Sequence, residues 1–343
     1  MKALVLRDYR RLVYEQAPDP EPGSGEVLLR VRACGICGSD VHGLDGSTGR
    51  RIPPLIMGHE AAGEIAGLGP GVRDWRVGER VTFDSTIYCG SCWHCRRGEI
   101  NLCDHRRVLG VSCQEYRRDG AFAQHVVVPQ HILYRLPEGF AYCQAALVEA
   151  LSIAVHAVRR LSPQLGDCVA VVGAGIIGLL VVQVLKASGC GPIAAVDPAP
   201  ERRELARRLG AELALDPERE EVPARLRGLT GGRGADGAVE AVGVTPAIQT
   251  AVALLRKGGA LALIGNLQPQ VELPLQAVVT REISVHGSCA SRGEYPTAIQ
   301  LIAGGKVDVD CLISAEAPLA EGAEWFRRLY AREAGLLKVV LVP

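Results

Sequence analysis

The sequence predicts an α/β protein of two domains, a strand-rich β-barrel-like domain followed by a doubly wound parallel sheet. Short strand-like segments, broken every few residues by Gly and Pro, fill residues 1–150. Beyond this range, short continuous apolar runs alternate with helical segments, which is the pattern of a parallel sheet covered by helices. A length of 343 residues leaves room for two domains of ordinary size.

Composition and charge exclude several classes of protein. Lys plus Arg and Asp plus Glu both number 38, so the formal net charge is zero and no basic patch favours nucleic acid. No apolar run reaches the roughly 20 residues of a membrane helix, and residues 1–7 are predicted to be a first strand rather than a signal peptide. We therefore expect a cytoplasmic protein that binds neither nucleic acid nor membrane.

The first domain contains predicted strands at 27–32, 61–68 and 78–83, and the first candidate site lies among them. Cys37 offers a thiolate and His59 an imidazole, a ligand pair that suits zinc and leaves a coordination position open for chemistry. Asp40 could orient a ligating histidine. Alternatively, Cys37 is a buried core cysteine and His59 a loop histidine that never meet. Two further polar side chains could pass a proton outward: Ser39 and His42.

Twelve cysteines in a large intracellular chain point to metal rather than to a disulfide framework. Four of them form a C-x2-C-x2-C pattern with a fourth cysteine soon after, in a predicted lobe at about 88–104. Four thiolates this close can surround one zinc tetrahedrally and leave no open position, so this zinc would be structural. His94 within the lobe is either a substitute ligand or a solvated loop histidine. The four cysteines are Cys89, Cys92, Cys95 and Cys103.

A helical pattern around 141–160 contains one embedded carboxylate, Glu149. Burying a lone carboxylate without a partner is costly, and a metal ion would be such a partner. Apolar neighbours on both sides favour this interpretation over a glutamate on the exposed face of an amphipathic helix.

The second domain opens with a nucleotide-binding motif. A buried strand at 168–172 leads directly into G-x-G-x-x-G and an apolar helix, the context in which a pyrophosphate binds at the helix N-terminus. The next strand ends in Asp197, whose carboxylate would accept hydrogen bonds from ribose hydroxyls and repel a 2′-phosphate, so NAD is preferred. Arg202 and Arg203 nearby keep NADP as an alternative. The predicted cofactor-binding residues are Gly173, Gly175, Ile176, Ile177, Gly178, Asp197, Arg202, Val242, Ile264 and Gly265.

Alternating strands and helices continue to residue 286, which predicts a Rossmann domain over 151–286. One of its helices is predicted over 245–256, ended by Gly258 and Gly259. Residues 287–343 contain a predicted helix near 295–303 and a last strand at 337–342, and we expect this segment to return to the first domain.

Together these motifs resemble the zinc-dependent medium-chain dehydrogenases, in the branch of polyol (sorbitol) and threonine dehydrogenases. The resemblance covers nearly the whole chain and implies that the first domain is GroES-like. It rests on Cys34-Gly-Ile-Cys37-Gly-Ser39-Asp40-Val-His42, Gly58-His59-Glu60, the four-cysteine lobe, Val148-Glu149-Ala150-Leu151-Ser152, the glycine motif with Asp197, and Gly231-Gly-Arg-Gly-Ala-Asp236.

The resemblance implies a catalytic zinc on Cys37 and His59, with Glu149 as third ligand directly or through water. Glu60 would sit beside the metal and exchange with its water, whereas Cys34 would be a core residue. Zinc would lower the pKa of a substrate hydroxyl, and hydride would pass to NAD. The proton would leave through Ser39 and His42. A homodimer or homotetramer is implied as well.

The substrate is the least determined part. The polyol branch often has tyrosine where this chain has Gly43, and an Arg-Tyr pair that residues 287–292 lack. This predicts a roomier pocket for a polyol, cyclitol, sugar or sugar phosphate, lined in part by Gln114 and Glu115. The alternatives are an L-threonine 3-dehydrogenase-like enzyme and, in a different class, a non-catalytic nucleotide-binding relative.

Overall fold

The computed structural model describes residues 1–343. It divides into two compact units, the first formed by residues 1–149 with 309–343 and the second by residues 150–308. No helix combines the length and the apolar character that crossing a membrane requires.

The N-terminal part of the first unit is built mostly of strands, as the frequent Gly and Pro breaks predict. The strands are β1 (Lys2–Asp8), β2 (Arg11–Gln16), β3 (Glu26–Gly35), β4 (Leu55–Ile56), β5 (Glu60–Leu68), β6 (Arg80–Phe83), β7 (Thr86–Ile87), β8 (Arg107–Val108), β9 (Val111–Ser112), β10 (Arg117–Arg118), β11 (His125–Pro129) and β12 (Leu133–Arg135). The helices are α1 (Gly38–Gly43), α2 (Trp93–Arg96) and α3 (Tyr142–Ala146), with 3-10 turns at Ile100–Leu102 and Gln130–Ile132.

The second unit is a parallel sheet with helices, entered through α4 (Val148–Leu161). Its strands are β13 (Val169–Val172), β14 (Ile193–Val196), β15 (Leu213–Leu215), β16 (Ala235–Glu240), β17 (Leu255–Leu263) and β18 (Ser284–Gly287). Its further helices are α5 (Ile176–Ala187), α6 (Pro200–Leu209), α7 (Val222–Leu229), α8 (Thr245–Leu254), α9 (Leu275–Thr280) and α10 (Tyr295–Ala303). The order β15-β14-β13-β16-β17-β18 is the doubly wound 3-2-1-4-5-6 order, so the predicted fold class is confirmed.

One predicted helix end is wrong. Helix α8 stops at Leu254 and strand β17 begins at once, so Gly258 and Gly259 lie inside a strand. Leu255 pairs with Ala235 of β16, and the register then shifts before Gly237 pairs with Ala260. A bulge at the left-handed Gly258, with φ of 69°, therefore replaces the predicted helix stop.

The C-terminal segment returns to the first unit later than the sequence predicts, at residue 309 rather than 287. Helix α10 stays with the second unit, where Glu294 at its start lies 3.1 Å from His156 of α4. The segment continues through β19 (Ile313–Pro318), α11 (Gly322–Tyr330) and β20 (Lys338–Val342), with 3-10 turns at Asp310–Leu312 and Leu319–Glu321.

Strand β3 is the centre of the first unit. It pairs along its length with β5, and on its other edge it pairs with β11 at one end and with β20 at the other. The resulting sheet has the order β12-β6-β5-β3-β20-β19, with β11 also on β3. The predicted last strand, β20, thus joins the sheet that carries both candidate metal-binding stretches. One stretch lies where β3 leads into α1, and the other lies where β5 starts at Glu60.

The close contact between β13 and α5 predicts a strong effect of one methyl group. A Cβ atom at Gly178 would lie 1.8 Å from the carbonyl oxygen of Gly173, so Gly178→Ala must push the helix from the loop. We expect the free energy of unfolding, measured in urea, to fall by about 1–3 kcal/mol. Gly175→Ala is the matched control, because no heavy atom lies within 4 Å of that position. Equal stability of the two variants would contradict this account.

Candidate metal centres and cofactor-binding loop

Three ligand-type side chains converge in the first unit: Cys37, His59 and Glu60. Their ligand atoms all lie within 4.8 Å of one another. Cys37 caps the N-terminus of α1, while His59 and Glu60 stand where the chain enters β5. Thiolate, imidazole and carboxylate are the donors that zinc binds in proteins, and tetrahedral coordination would need only a small contraction of this set. The predicted meeting of Cys37 and His59 therefore occurs.

Asp40 bridges the histidine to a cation. Its Oδ2 atom lies 3.4 Å from His59 Nδ1, and its Oδ1 atom accepts two hydrogen bonds from Arg51, at 3.1 and 2.8 Å. Burial opposes ionisation, but the His59 ring and the Arg51 guanidinium outweigh it and lower the pKa of Asp40 to about 2. Although burial also disfavours the charged ring, Asp40 and Cys37 raise the pKa of His59 well above its ordinary value. Because Nδ1 of His59 faces Asp40, the other ring nitrogen is the one that would bind a metal once the ring is neutral.

A buried lysine holds the carboxylate of Glu60. Lys338 Nζ lies 2.6 Å from Glu60 Oε2 and donates to the carbonyl oxygen of Ile36 at 3.0 Å. Burial lowers the pKa of Lys338, but the charges of Glu60 and Cys37 raise it by more, so the net change is a rise. Glu60 therefore keeps one oxygen on Lys338 and has the other available to the close set.

Glu149 lies outside the close set that the structure forms. It is buried at the start of α4, and Ser85 Oγ donates to its Oε1 atom at 3.3 Å. Burial raises the pKa of Glu149 to about 7, against the opposing charge of His59. The third ligand-type side chain within 4.8 Å of Cys37 and His59 is therefore Glu60 rather than Glu149.

The two predicted proton-relay residues, Ser39 and His42, lie on α1 and are exposed. Arg51 Nη2 donates to Ser39 Oγ at 3.3 Å. Gln114 and Glu115, predicted to line the pocket, are exposed in the turn between β9 and β10.

The prediction of extra room at Gly43 is wrong. A Cβ atom there would lie 2.3 Å from Cγ of Arg51, so the arginine stem fills the space. Sequence reasoning missed both buried cations of this site, Arg51 and Lys338. Lys338 stands at the head of an apolar strand, and the argument that a buried charge needs a partner could have singled it out.

The four-cysteine lobe assembles as predicted, with all four sulfur atoms within 4.8 Å of one another. The Cys89 and Cys95 sulfurs are 4.0 Å apart, close to the roughly 3.8 Å that zinc–sulfur bonds of about 2.3 Å require in a tetrahedron. The hydroxyl of Ser91 and the N–H groups of Ser91 and Cys92 lower the pKa of Cys89 to about 5. The donor set thus fits a structural zinc. His94 lies on α2 rather than in a loop, 3.0 Å from Glu99 and outside the ligand set.

In the second unit, the predicted cofactor residues gather at the ends of four strands, β13, β14, β16 and β17. A Cβ atom at Gly173 would meet Val242, and one at Gly265 would meet the backbone of Val242 and Gly243. Gly175, where α5 begins, faces open space that a pyrophosphate can enter. Ile176 and Ile177 form the first turn of α5, and Ile264 follows β17.

Backbone N–H groups hold the side chain of Asp197 against the glycine loop. Its Oδ2 atom accepts a hydrogen bond from Ala174 N at 2.8 Å, and its Oδ1 atom accepts one from Ala199 N at 2.9 Å. Arg202 lies 3.8 Å from the carboxylate. Arg203 instead donates to the carbonyl oxygens of Asp197 and Pro198 and pairs with Asp216 at 3.1 Å.

Both units match known protein families. Residues 23–138 match the alcohol dehydrogenase GroES-like domain, and residues 177–304 match the zinc-binding dehydrogenase family. The chain is 35% identical to the sorbitol dehydrogenase of Bacillus subtilis (strain 168), over 100% of this chain and 97% of that protein.

Solved structures agree with this match. The galactitol-1-phosphate dehydrogenase of Escherichia coli superposes with a TM-score of 0.93, at 28% identity and with 100% of both chains covered. A protein from Sinorhizobium meliloti 1021, described as a zinc-binding dehydrogenase and bound to NADP, gives a TM-score of 0.92 at 32% identity, covering 100% of this chain and 99% of that one. The chain belongs to the zinc-dependent medium-chain alcohol dehydrogenase family. Within that family its relatives place it in the polyol branch.

The lobe predicts a change in metal content. Cys92→Ser removes one of four thiolates, and we expect bound zinc, measured by mass spectrometry of the purified protein, to fall from two ions per chain to one. The melting temperature should fall as well, because the lobe has little core of its own. Cys190→Ser, which lies in the second unit outside both sets, is the matched control. Two ions retained by Cys92→Ser would contradict a structural zinc here.

Proposed function

We propose that this chain is an NAD- and zinc-dependent dehydrogenase that oxidises a secondary alcohol of an uncharged polyol or sugar, or reduces the corresponding ketone. The observation that carries the proposal is the convergence of Cys37, His59 and Glu60 within 4.8 Å in a largely buried setting. Three protein ligands leave a fourth position for substrate or water, which is the arrangement of a catalytic zinc.

The chain's own residues would set the geometry and carry the proton. Bound zinc would supply Lewis acidity toward the substrate hydroxyl, and bound NAD would supply the hydride acceptor. Asp40 fixes the ring of His59, and Lys338 fixes the carboxylate of Glu60, so that the ligands do not have to reorganise. Ser39 Oγ would take the substrate proton. His42, exposed on the same helix, would release it to solvent.

Charge at the site favours an uncharged substrate. The cations beside the ligand set, Arg51 and Lys338, are buried and paired with Asp40 and Glu60. A phosphate or an amino-acid carboxylate would gain from an unpaired cation, and these two are already neutralised. This consideration favours a neutral polyol over a sugar phosphate or L-threonine.

The surroundings of Asp197 favour NAD over NADP. Its carboxylate is buried at the end of β14 and would accept hydrogen bonds from the ribose hydroxyls. Arg203, which could otherwise receive a 2′-phosphate, is engaged by Asp216 and two backbone carbonyls. Only Arg202, on the rim, remains partly exposed.

A substrate panel tests the proposal. Polyols, cyclitols, sugars, sugar phosphates and L-threonine would each be offered with NAD and with NADP, and turnover followed by the absorbance of the reduced cofactor. We expect activity with neutral polyols and NAD. Turnover with L-threonine alone would favour the threonine dehydrogenase-like alternative.

Variants of the ligands test the metal. Cys37→Ser and His59→Ala should lose at least about 100-fold in kcat, because a ligand of the catalytic zinc is removed, while NADH titration shows unchanged cofactor binding. The matched control is Cys34→Ser, a buried cysteine three residues away that is not a ligand. A wild-type protein with a single zinc, retained in the four-cysteine lobe, would instead indicate a non-catalytic nucleotide-binding relative.

We also propose that the chain forms a homodimer or homotetramer through the sheet edge of the second unit. Strand β18 is the last strand of its sheet, and apolar side chains around it are exposed. An open edge flanked by apolar surface is a surface on which a second copy can pair about a two-fold axis. The exposed apolar residues are Leu267, Val271, Leu273, Leu275, Val279 and Val285.

Val279→Glu should therefore shift the oligomer toward monomer, as measured by sedimentation velocity, because the new charge would be buried against the partner. Val77→Glu is the matched control: Val77 is 63% exposed and Val279 is 65% exposed, but Val77 lies in the first unit. An unchanged assembly state of Val279→Glu would rule out this face.

The four lobe cysteines support a reducing compartment such as the cytoplasm, because they must stay reduced to bind metal.

A further inference from the structure

We propose that Arg51 is a positioning residue of the catalytic metal site and that Gly43 is the residue that makes room for it. The inference rests on the proposed function, because it concerns the same ligand set. It replaces the expectation that the missing side chain at 43 enlarges the substrate pocket.

The contacts of Arg51 are all directed at the metal site or at its own loop. Nε and Nη2 bind Asp40 Oδ1 at 3.1 and 2.8 Å, and Nη2 also donates to Ser39 Oγ at 3.3 Å. Nη1 donates to the carbonyl oxygen of Arg50 at 3.0 Å. The side chain of Arg51 is 5% exposed, so it cannot be a mobile surface group.

Through Asp40 the guanidinium reaches the ligand His59. One carboxylate oxygen of Asp40 is on Arg51 and the other lies 3.4 Å from His59 Nδ1. Two hydrogen bonds from Arg51 fix Oδ1, which keeps Oδ2 directed at His59 Nδ1, where it can orient the imidazole. The same guanidinium donates to Ser39 Oγ, which occupies a lone pair and leaves the serine proton free to point elsewhere.

The backbone of Arg51 is fixed independently of these contacts. Residue 51 forms a bridge with Ser112 of β9. Ser112 N donates to the carbonyl oxygen of Arg50 at 3.3 Å, and Ile52 N donates to that of Ser112 at 3.2 Å. The arginine therefore enters the site from a segment anchored on both sides.

Gly43 at the end of α1 is where the arginine stem passes. A Cβ atom at 43 would lie 2.3 Å from Cγ and 3.2 Å from Cβ of Arg51. Any larger residue at 43 must therefore displace Arg51, so the two positions are coupled.

The test measures how fast the catalytic zinc is lost to excess dipicolinate, alongside kcat and KM. Arg51→Ala should lose this zinc about 10–100 times faster than wild type, with kcat reduced and KM for NAD unchanged. Arg51→Lys, which keeps the charge but not the two-point contact, should fall between them. The lobe zinc should stay bound in every variant and reports that the fold is intact. Arg50→Ala, the exposed neighbour, is the matched control.

A double-mutant cycle separates positioning from simple stability. Gly43→Ala alone should accelerate zinc loss, because it moves Arg51, but in the Arg51→Ala background it should add nothing. If Arg51→Ala does not fold, Gly43→Ala and Arg51→Lys carry the test. Zinc loss at the wild-type rate in Gly43→Ala and Arg51→Lys would overturn the inference while leaving the proposed function intact. A wild-type protein without a second zinc would overturn both.

Discussion

The first unit depends on the pairing of charges that it buries around one ligand set. Asp40, Glu60, Arg51 and Lys338 are each at most 5% exposed. Any one of them without its partner would leave an uncompensated charge in the interior, which is among the most destabilising changes a fold can contain. Asp40 is paired with Arg51 and Glu60 with Lys338. Cys37, His59 and the second oxygen of Glu60 are thereby left for a metal.

This pairing explains why the chain returns to its first unit after the second one. The ion pair between Lys338 and Glu60 joins residues 278 positions apart, and β20, which pairs with β19 and β3, carries that lysine. A shorter chain ending with the Rossmann unit would keep Cys37, His59 and Glu60 but leave the Glu60 carboxylate unpaired. The C-terminal strand therefore completes the site as well as the sheet.

The sequence predicts what is encoded over short distances. The glycine motif, the lobe cysteines and Asp197 are readable because each function depends on fixed local spacing. The four lobe cysteines lie close to one another, and Asp197 contacts the glycine loop. The predicted end of α8 is wrong because Leu255 pairs with Ala235 of the neighbouring strand and so belongs to β17 rather than to the helix. Arg51 is not recognisable because a basic residue in a loop normally lies on the surface, and only its burial in the tertiary structure distinguishes it. Lys338 is different, because its place at the head of an apolar strand could have indicated a buried charge that needs a partner.

Gly43 shows why an absent side chain cannot be equated with an empty pocket. Interiors are close-packed, so space vacated at one position is normally filled by a neighbour in space that can be distant in sequence. Here the neighbour is Arg51, eight residues further on by number, whose guanidinium pairs with Asp40. Arg51, whose stem passes Gly43, therefore adds a buried ion pair with Asp40 beside the ligand set. Substrate preference in this enzyme should follow the pairing of Arg51 with Asp40 and of Lys338 with Glu60. Two cations that are already paired offer little to an anionic substrate, so a neutral hydroxyl would be recognised by the metal itself.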